Sequence, residues 1–198
     1  MVFVITAPSG TGKTTLLKKL LAGDPRLKFS ISYTTRPPRP GEVQGRDYFF
    51  VTSEEFRRLR EAGSLVEWVE QFGYGYGTSR QWVAETLAAD VDVIFDIEVR
   101  GARALKAEFP QATFIFILPP SLDQLKRRLE VRGDLQPGEL ARRLEQGRDE
   151  LAEVHWYDFA VVNDELDVAL DQLRAIVTAE RCRTSRLWPQ LQPRFLKV

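Results

Sequence analysis

One short stretch constrains this chain more than any other. The run Val2-Phe3-Val4-Ile5 passes at once into Ala7-Pro8-Ser9-Gly10-Thr11-Gly12-Lys13-Thr14, and Leu16, Leu17, Leu20 and Leu21 follow at helical spacing. β-Branched and aromatic residues in unbroken sequence suit a strand buried on both faces. The glycines that follow let the backbone curl so that successive N–H groups point inward, where phosphate oxygens can accept from them. A helix starting near Lys13 adds its partly positive end. The pattern is G-x-x-x-x-G-K-[ST] with Ala7 in the first glycine's place. An ordinary glycine-rich turn has no need of lysine and threonine directly after Gly12. The sequence therefore predicts a triphosphate cradle over Ala7, Pro8, Ser9, Gly10, Thr11, Gly12, Lys13, Thr14 and Thr15. Lys13 reaches the β- and γ-phosphates, and the Thr14 hydroxyl ligates Mg²⁺ directly.

The rest of the chain supplies a setting for that loop. Val91–Asp96, Thr113–Leu118 and Phe159–Val162 read as further buried strands, separated or followed by helical patterns. In the last of these, Leu166, Ala169, Leu170, Leu173, Ile176 and Val177 share a face, with Asn163 or Asp164 as the expected N-cap. Strands alternating with helices predict an α/β fold, a parallel sheet with helices on both faces. Residues 31–79 break the rhythm with proline, glycine, arginine and tyrosine, and read as a small α+β insertion. Residues 121–154 read as two arginine-laden helices around a breaker-rich tip at Arg132–Gly138. The core is then 1–30, 80–120 and 155–181. The tail 182–198, carrying Pro189 and Pro193, reads as loosely held.

Composition excludes several classes. Lysine plus arginine and aspartate plus glutamate both number 28 in 198 residues, so no global basic field points to a nucleic-acid polymer or a membrane surface. One cysteine and one histidine exclude a disulfide framework and any multi-Cys or His-based metal cluster. Cys182 reads as a half-buried free thiol and His155 as a hydrogen-bonded helix-end residue. No stretch approaches the roughly 18–20 apolar residues that span a bilayer, and the opening lacks the basic region of a signal peptide. The expected location is cytoplasmic.

What accepts the phosphate is signalled by Ser32-Tyr33-Thr34-Thr35-Arg36-Pro37-Pro38-Arg39-Pro40-Gly41-Glu42. Arg36 and Arg39, stiffened by the prolines, make a fork for a doubly charged phosphate. Tyr48 and Tyr76 can each donate a hydroxyl to the same anion. Asp96, ending a buried strand, reads either as a carboxylate near the Mg²⁺, reaching it directly or through water, or as a solvated strand-end residue.

These residues carry a resemblance to the guanylate kinase family. It runs from the phosphate loop through S-x-T-T-R-x-P-R-x-G-E, G-x-D-Y-x-F, Leu65-Val66-Glu67-Trp68 and Tyr76-Gly77-Thr78-Ser79. It continues through Asp96-Ile97-Glu98, Pro119-Pro120-Ser121, Lys126-Arg127-Arg128-Leu129 and Val162-Asn163-Asp164, to about residue 181. The resemblance implies a phosphate-loop α/β core, a GMP-binding insertion, an arginine-bearing lid, and transfer of the γ-phosphoryl group of ATP to GMP with Mg²⁺. By position it implies that Arg36, Arg39, Tyr48 and Tyr76 hold the GMP phosphate. Ser32, Glu67, Thr78 and one of Asp96 or Glu98 surround the guanosine. The chemistry of Glu67 agrees on its own terms: a carboxylate accepts from guanine N1–H and the 2-amino group together, and adenine offers neither donor there. The other reading of Glu67 is a surface residue on an alternating strand.

Arg128, Arg132, Arg143 and Arg148 are the lid candidates. Arg132 and Arg143 join Lys13 and Arg39 as the expected catalytic residues, and Arg128 and Asn163 join the ATP site. Asn163 lines the adenine end or caps a helix, and the alternative for lid arginines without a catalytic role is solvation of helix faces. The chain departs from the family pattern at Ala7, at Glu98 where many members have aspartate, and at Tyr74-Gly75 in place of Asn-Tyr. Two rival readings are a protein-binding module of the same family without activity, and a phosphate-loop kinase for a sugar phosphate. Lys13, Thr14, Arg36 and Arg39 oppose the first; Glu67 and Thr78 oppose the second. ATP and GMP are the expected partners. No obligate protein partner is evident, and dGMP acceptance and homo-oligomerisation are open.

Overall fold

The structure is a computed structural model and describes residues 1–71, 73–131 and 138–196. In chain order it runs β1 (Val2–Thr6), α1 (Lys13–Ala22), β2 (Leu27–Phe29), β3 (Ser32–Thr34), β4 (Phe49–Phe50), α2 (Ser53–Glu61), β5 (Leu65–Gln71) and β6 (Tyr74–Ser79). It continues with α3 (Arg80–Ala88), β7 (Asp92–Asp96), α4 (Val99–Glu108), β8 (Thr113–Leu118), α5 (Leu122–Val131) and α6 (Glu139–Ala152). A 3₁₀ turn at Val154–Trp156, β9 (Phe159–Val162), α7 (Leu166–Arg181) and α8 (Thr184–Phe195) complete it. The larger sheet has the order β2-β7-β1-β8-β9 and the smaller the order β4-β3-β6-β5. Both β1 and β2 pair with β7 in parallel, Val2 against Val93 and Leu27 against Asp92. The predicted α/β class with a parallel sheet is what forms. No described helix is long and apolar enough to cross a membrane.

The chain divides into two compact units. The first comprises Met1–Ala7, Pro25–Ile115 and His155–Asp158; the second comprises Pro8–Asp24, Phe116–Val154 and Phe159–Val198. In the first unit, Val2, Val4, Val93, Phe95 and Phe114 pack with Val66, Val83, Ala102 and Leu105 from the surrounding strand and helices. The smaller sheet belongs wholly to this unit. β3 runs parallel to β4 and antiparallel to β6, and β5 runs antiparallel to β6. Along β6 the sequence Gly-Tyr-Gly-Thr puts Tyr76 and Thr78 on one face and small residues on the other, where Phe56 and Leu65 press against the backbone. α3 begins immediately after Ser79, whose hydroxyl accepts from Trp82 N as the N-cap. Thr78 is thereby held at a capped strand end.

In the second unit, α1, with Leu16, Leu17 and Leu20 buried, packs against α7, whose buried side chains include Ala169, Leu170, Leu173 and Val177. Expectations fail here at the α7 cap and at Cys182. Neither Asn163 nor Asp164 caps α7; Glu165 occupies the N-cap, because the Asn163 side chain is committed elsewhere. The tail forms α8, with both prolines inside it and no buried residue. Its start is fastened by Glu180, only 3% exposed, which takes Arg183 at 2.7 Å and Arg186 at 3.1 Å. Cys182 is a free thiol at the α7 C-cap and is exposed rather than half-buried.

Candidate active site

The phosphate loop belongs to the second unit from Pro8 onward. Thr11 anchors it: its hydroxyl donates to Pro8 O at 2.7 Å and its N–H to the same oxygen at 3.2 Å. Gly12 is the α1 N-cap with φ of 94° and no side-chain cap, and no acidic residue sits in the first turn of α1. The helix therefore presents its first N–H groups with no carboxylate in its own first turn beside them. A side chain at Gly12 is doubly unwelcome. The φ is left-handed, and a Cβ would stand 2.6 Å from Asn163 Nδ2. Ala7 in the first glycine's place is tolerated because its φ is not positive; among the described non-glycine residues only Asp90 has a positive φ.

Asn163 and Arg128 both act on the loop itself. Asn163, 5% exposed, donates from Nδ2 to Thr11 O at 2.7 Å, while its own N–H bonds Leu118 O at the end of β8. Arg128 Nη1 donates to the same Thr11 carbonyl at 3.2 Å. Two donors on one carbonyl hold the Thr11–Gly12 peptide in place, so that the N–H groups which follow it keep their direction. From α6, Arg143 Nη1 reaches Ser9 Oγ at 3.3 Å, and Glu139 pairs with the same guanidinium at 2.5 Å. Thr14 and Thr15 are exposed, Lys13 is half-buried, and Arg148 is exposed on α6. Arg132 lies outside the described residues.

The acceptor residues belong to the first unit. Ser32 Oγ lies 3.3 Å from Thr78 Oγ1, which donates to Glu67 Oε1 at 2.8 Å. These three come from β3, β6 and β5, brought side by side by the sheet register Ser32–Thr78 and Glu67–Thr78. Glu67 is 5% exposed, so it is not the surface residue of the alternative reading. Burial pushes its carboxyl up to about 7, against a smaller opposite effect from the Thr78 hydroxyl.

Next to this chain of oxygens stand the arginine and tyrosines. Arg36, 9% exposed, lies 5.5 Å from the Tyr48 ring centroid, and the Tyr48 and Tyr76 rings meet edge-on at 6.2 Å. Burial pushes the Tyr48 phenol up, with Tyr76 and the Asp96 carboxylate adding to the effect, so the hydroxyl remains a donor. Asp96 ends β7 exposed to solvent, in register with Ile5 of β1. Glu98 is the N-cap of α4 without a side-chain cap bond; instead it accepts from Gln71 Nε2.

The fork expected of Arg36 and Arg39 has a third member, Glu42. Its carboxylate takes Arg36 Nη2 at 2.8 and 2.9 Å and Arg39 N at 2.6 Å, while Arg36 Nη1 donates to Pro37 O at 2.7 Å. The Arg36 guanidinium beside Glu42 holds that carboxyl below the usual carboxylate range. Glu42 therefore orders the proline-stiffened loop and fixes the plane of the Arg36 guanidinium, whereas the Arg39 side chain is exposed. Sequence reasoning assigns Glu42 no task of its own. The signal is nonetheless present, in an acid that closes a stretch with two arginines and no other countercharge.

Each unit offers its own kind of chemistry. The second unit offers backbone donors and cations to a polyphosphate. The first offers a guanidinium and two phenols to a phosphate, and buried acceptors to a base that carries adjacent N–H donors.

Residues 1–180 match the family model described as guanylate kinase. The guanylate kinase of Geobacter sulfurreducens is 44% identical over 187 residues, covering 94% of this chain and 92% of that relative. That of Nitrosomonas europaea is 48% identical over 184 residues, with 93% and 92% covered. Among solved structures, the crystal structure of guanylate kinase from Anaplasma phagocytophilum matches with a TM-score of 0.78 at 32% identity, covering 98% of this chain and 95% of that one. With motif, fold and site chemistry in agreement over the same residues, the chain belongs to the guanylate kinase family.

Proposed function

We propose that this chain transfers the γ-phosphoryl group of ATP to GMP, giving ADP and GDP. The observation that carries the choice of acceptor is the buried Ser32–Thr78–Glu67 chain of oxygens, whose carboxylate has one close hydroxyl donor and unused acceptor capacity. Guanine N1–H and its 2-amino group fill that capacity; adenine would leave the carboxylate buried without those partners, a large penalty. Residues 31–79 act as the GMP-binding insertion on the core of 1–30, 80–120 and 155–181, with 121–154 as the lid.

In this reading Arg36, Arg39, Tyr48 and Tyr76 orient the GMP phosphate so that one oxygen attacks in line. Lys13 and the N–H groups from Gly10 to Thr15 hold the β- and γ-phosphates, while Arg143, with Arg132, stabilises charge on the transferring group. Arg128 and Asn163 act by fixing the loop. Thr14 and Asp96 offer hard oxygen ligands of the kind Mg²⁺ takes in ones and twos alongside phosphates and water. Mg²⁺ bound with ATP would neutralise charge on the β- and γ-oxygens.

The test is a coupled ADP-release assay with ATP, Mg²⁺ and each of GMP, AMP, CMP and UMP in turn. Turnover with GMP alone is the expected result. No release with any of the four, from protein shown to be folded, rejects the reading. Arg39→Ala is expected to raise the KM for GMP about thirtyfold, a loss of roughly 2 kcal/mol for a charge-assisted phosphate contact. The KM for ATP should change less than twofold; equal losses for both substrates would contradict the role given to Arg39.

A further inference from the structure

Glu98 is built in a way that neither helix formation nor the reading above explains. It occupies the N-cap of α4 with φ of −82° and ψ of 167°, a position where a short polar side chain usually accepts from the first-turn N–H groups. Its carboxylate makes no such bond. It accepts instead from the Gln71 side-chain amide, 27 residues earlier at the end of β5. Both residues are half-buried.

The first turn of α4 borders the base-reading carboxylate. A Cβ added at Gly101 would stand 3.4 Å from Glu67 Oε2, and α4 packs against β5, the strand that carries both Glu67 and Gln71. A glutamate here has three rotatable torsions, and an unrestrained one would lose that freedom on meeting a ligand. Gln71 removes the freedom in advance. Its amide engages Oε1 and leaves Oε2 with acceptor capacity.

We propose that Gln71 is a positioning residue for guanosine recognition, holding Glu98 beside Glu67 in the orientation that accepts from the bound nucleoside. This rests on the reading of the site as a GMP site. Gln71 touches neither reacting atoms nor the phosphate clamp, so its effect falls on acceptor binding and not on the chemical step.

The experiment compares wild type, Gln71→Met, Glu98→Ala and the double variant with saturating ATP and varied GMP, and then with the roles reversed. Methionine keeps the length and bulk of glutamine and lacks the donor. The expected result is a GMP KM raised about fivefold in Gln71→Met, with kcat and the KM for ATP within twofold of wild type. In the Glu98→Ala background the same substitution should add less than about 1.5-fold. A Gln71→Met variant with unchanged GMP KM overturns the proposal. So does an equal loss with and without Glu98, since that would make Gln71 a structural residue of the β5–β6 hairpin. A matching fall in ATP affinity or in melting temperature says the same. Failure of the underlying reading is separate and visible at once, because wild-type protein would then release no ADP with GMP, and the proposal would fall with it.

Discussion

Replacing Lys13 by alanine is expected to lower kcat about a thousandfold while leaving the melting temperature within a few degrees of wild type. The size follows from the role proposed for the side chain. Stabilising charge on transferring phosphoryl oxygens in a water-poor site is worth about 4 kcal/mol, the equivalent of three decades in rate. Nothing else in the first turn of α1 substitutes for it: Gly12 caps without a side chain, and Thr14 and Thr15 carry no charge. The fold should survive because Lys13 is only half-buried at a helix start, while the helix is held by Leu16, Leu17 and Leu20. The check is kcat with both substrates saturating, together with a thermal melt. A folded variant retaining more than about a tenth of wild-type turnover would remove Lys13 from the chemistry. Lys13→Arg should recover little, since a planar guanidinium does not replace a compact point charge.

How much of this was legible in the sequence depends on whether the cause was local. The phosphate loop was legible because strand, glycines and helix are adjacent, and the physics that makes it a cradle is confined to Ala7–Thr15. The buried strands β1, β7 and β8 announced themselves as unbroken apolar runs, as parallel strands covered on both faces must. Glu67 and Thr78 were legible as candidates, and their meeting came from strand register, which the alternation in Tyr74–Ser79 allows but does not specify. Asn163 was the instructive failure. Beside a helix start, asparagine satisfies every local rule for a cap, yet its amide donates to a carbonyl 152 residues away. Gln71 was missed for the same reason, since its partner Glu98 lies 27 residues on; Glu42 was missed although its partners, Arg36 and Arg39, stand close by in the sequence. α8 contains Pro189 and Pro193 and buries no residue, and Glu180 of the preceding helix pairs with Arg183 and Arg186 at its start.

The second large effect is expected at Glu67, where substitution should pull stability and binding in opposite directions. Burial holds its carboxyl at about 7 in the folded protein against an ordinary value of 4.5. A carboxyl whose folded value is raised costs the fold nothing while both states are protonated. It costs progressively more as pH climbs from 4.5 to about 7, because only the unfolded chain gives up its proton freely. The stability lost over that window is roughly 3 kcal/mol, since each pH unit separating the two values contributes about 1.4 kcal/mol. Glu67→Gln keeps the shape and an acceptor for the Thr78 hydroxyl but cannot ionise. It should therefore raise the melting temperature at about pH 8 and leave it nearly unchanged at about pH 4. The same change should raise the KM for GMP about a hundredfold at the higher pH. An amide turns an NH₂ toward one of two guanine donors and accepts from only the other, leaving mismatched buried groups. The KM for ATP should stay within twofold. With wild type, kcat/KM for GMP should rise as pH passes about 7, since that ratio reports the free enzyme and only the ionised carboxylate accepts from both donors. Titration of the GMP phosphate contributes to such a profile equally in both proteins, so the difference between wild type and Glu67→Gln isolates the residue. A variant that is stabilised at high pH yet binds GMP within threefold of wild type would make Glu67 a buried acid with no part in reading the base. A variant that loses GMP binding without gaining stability would show instead that the carboxylate is solvated and ionised in the free protein.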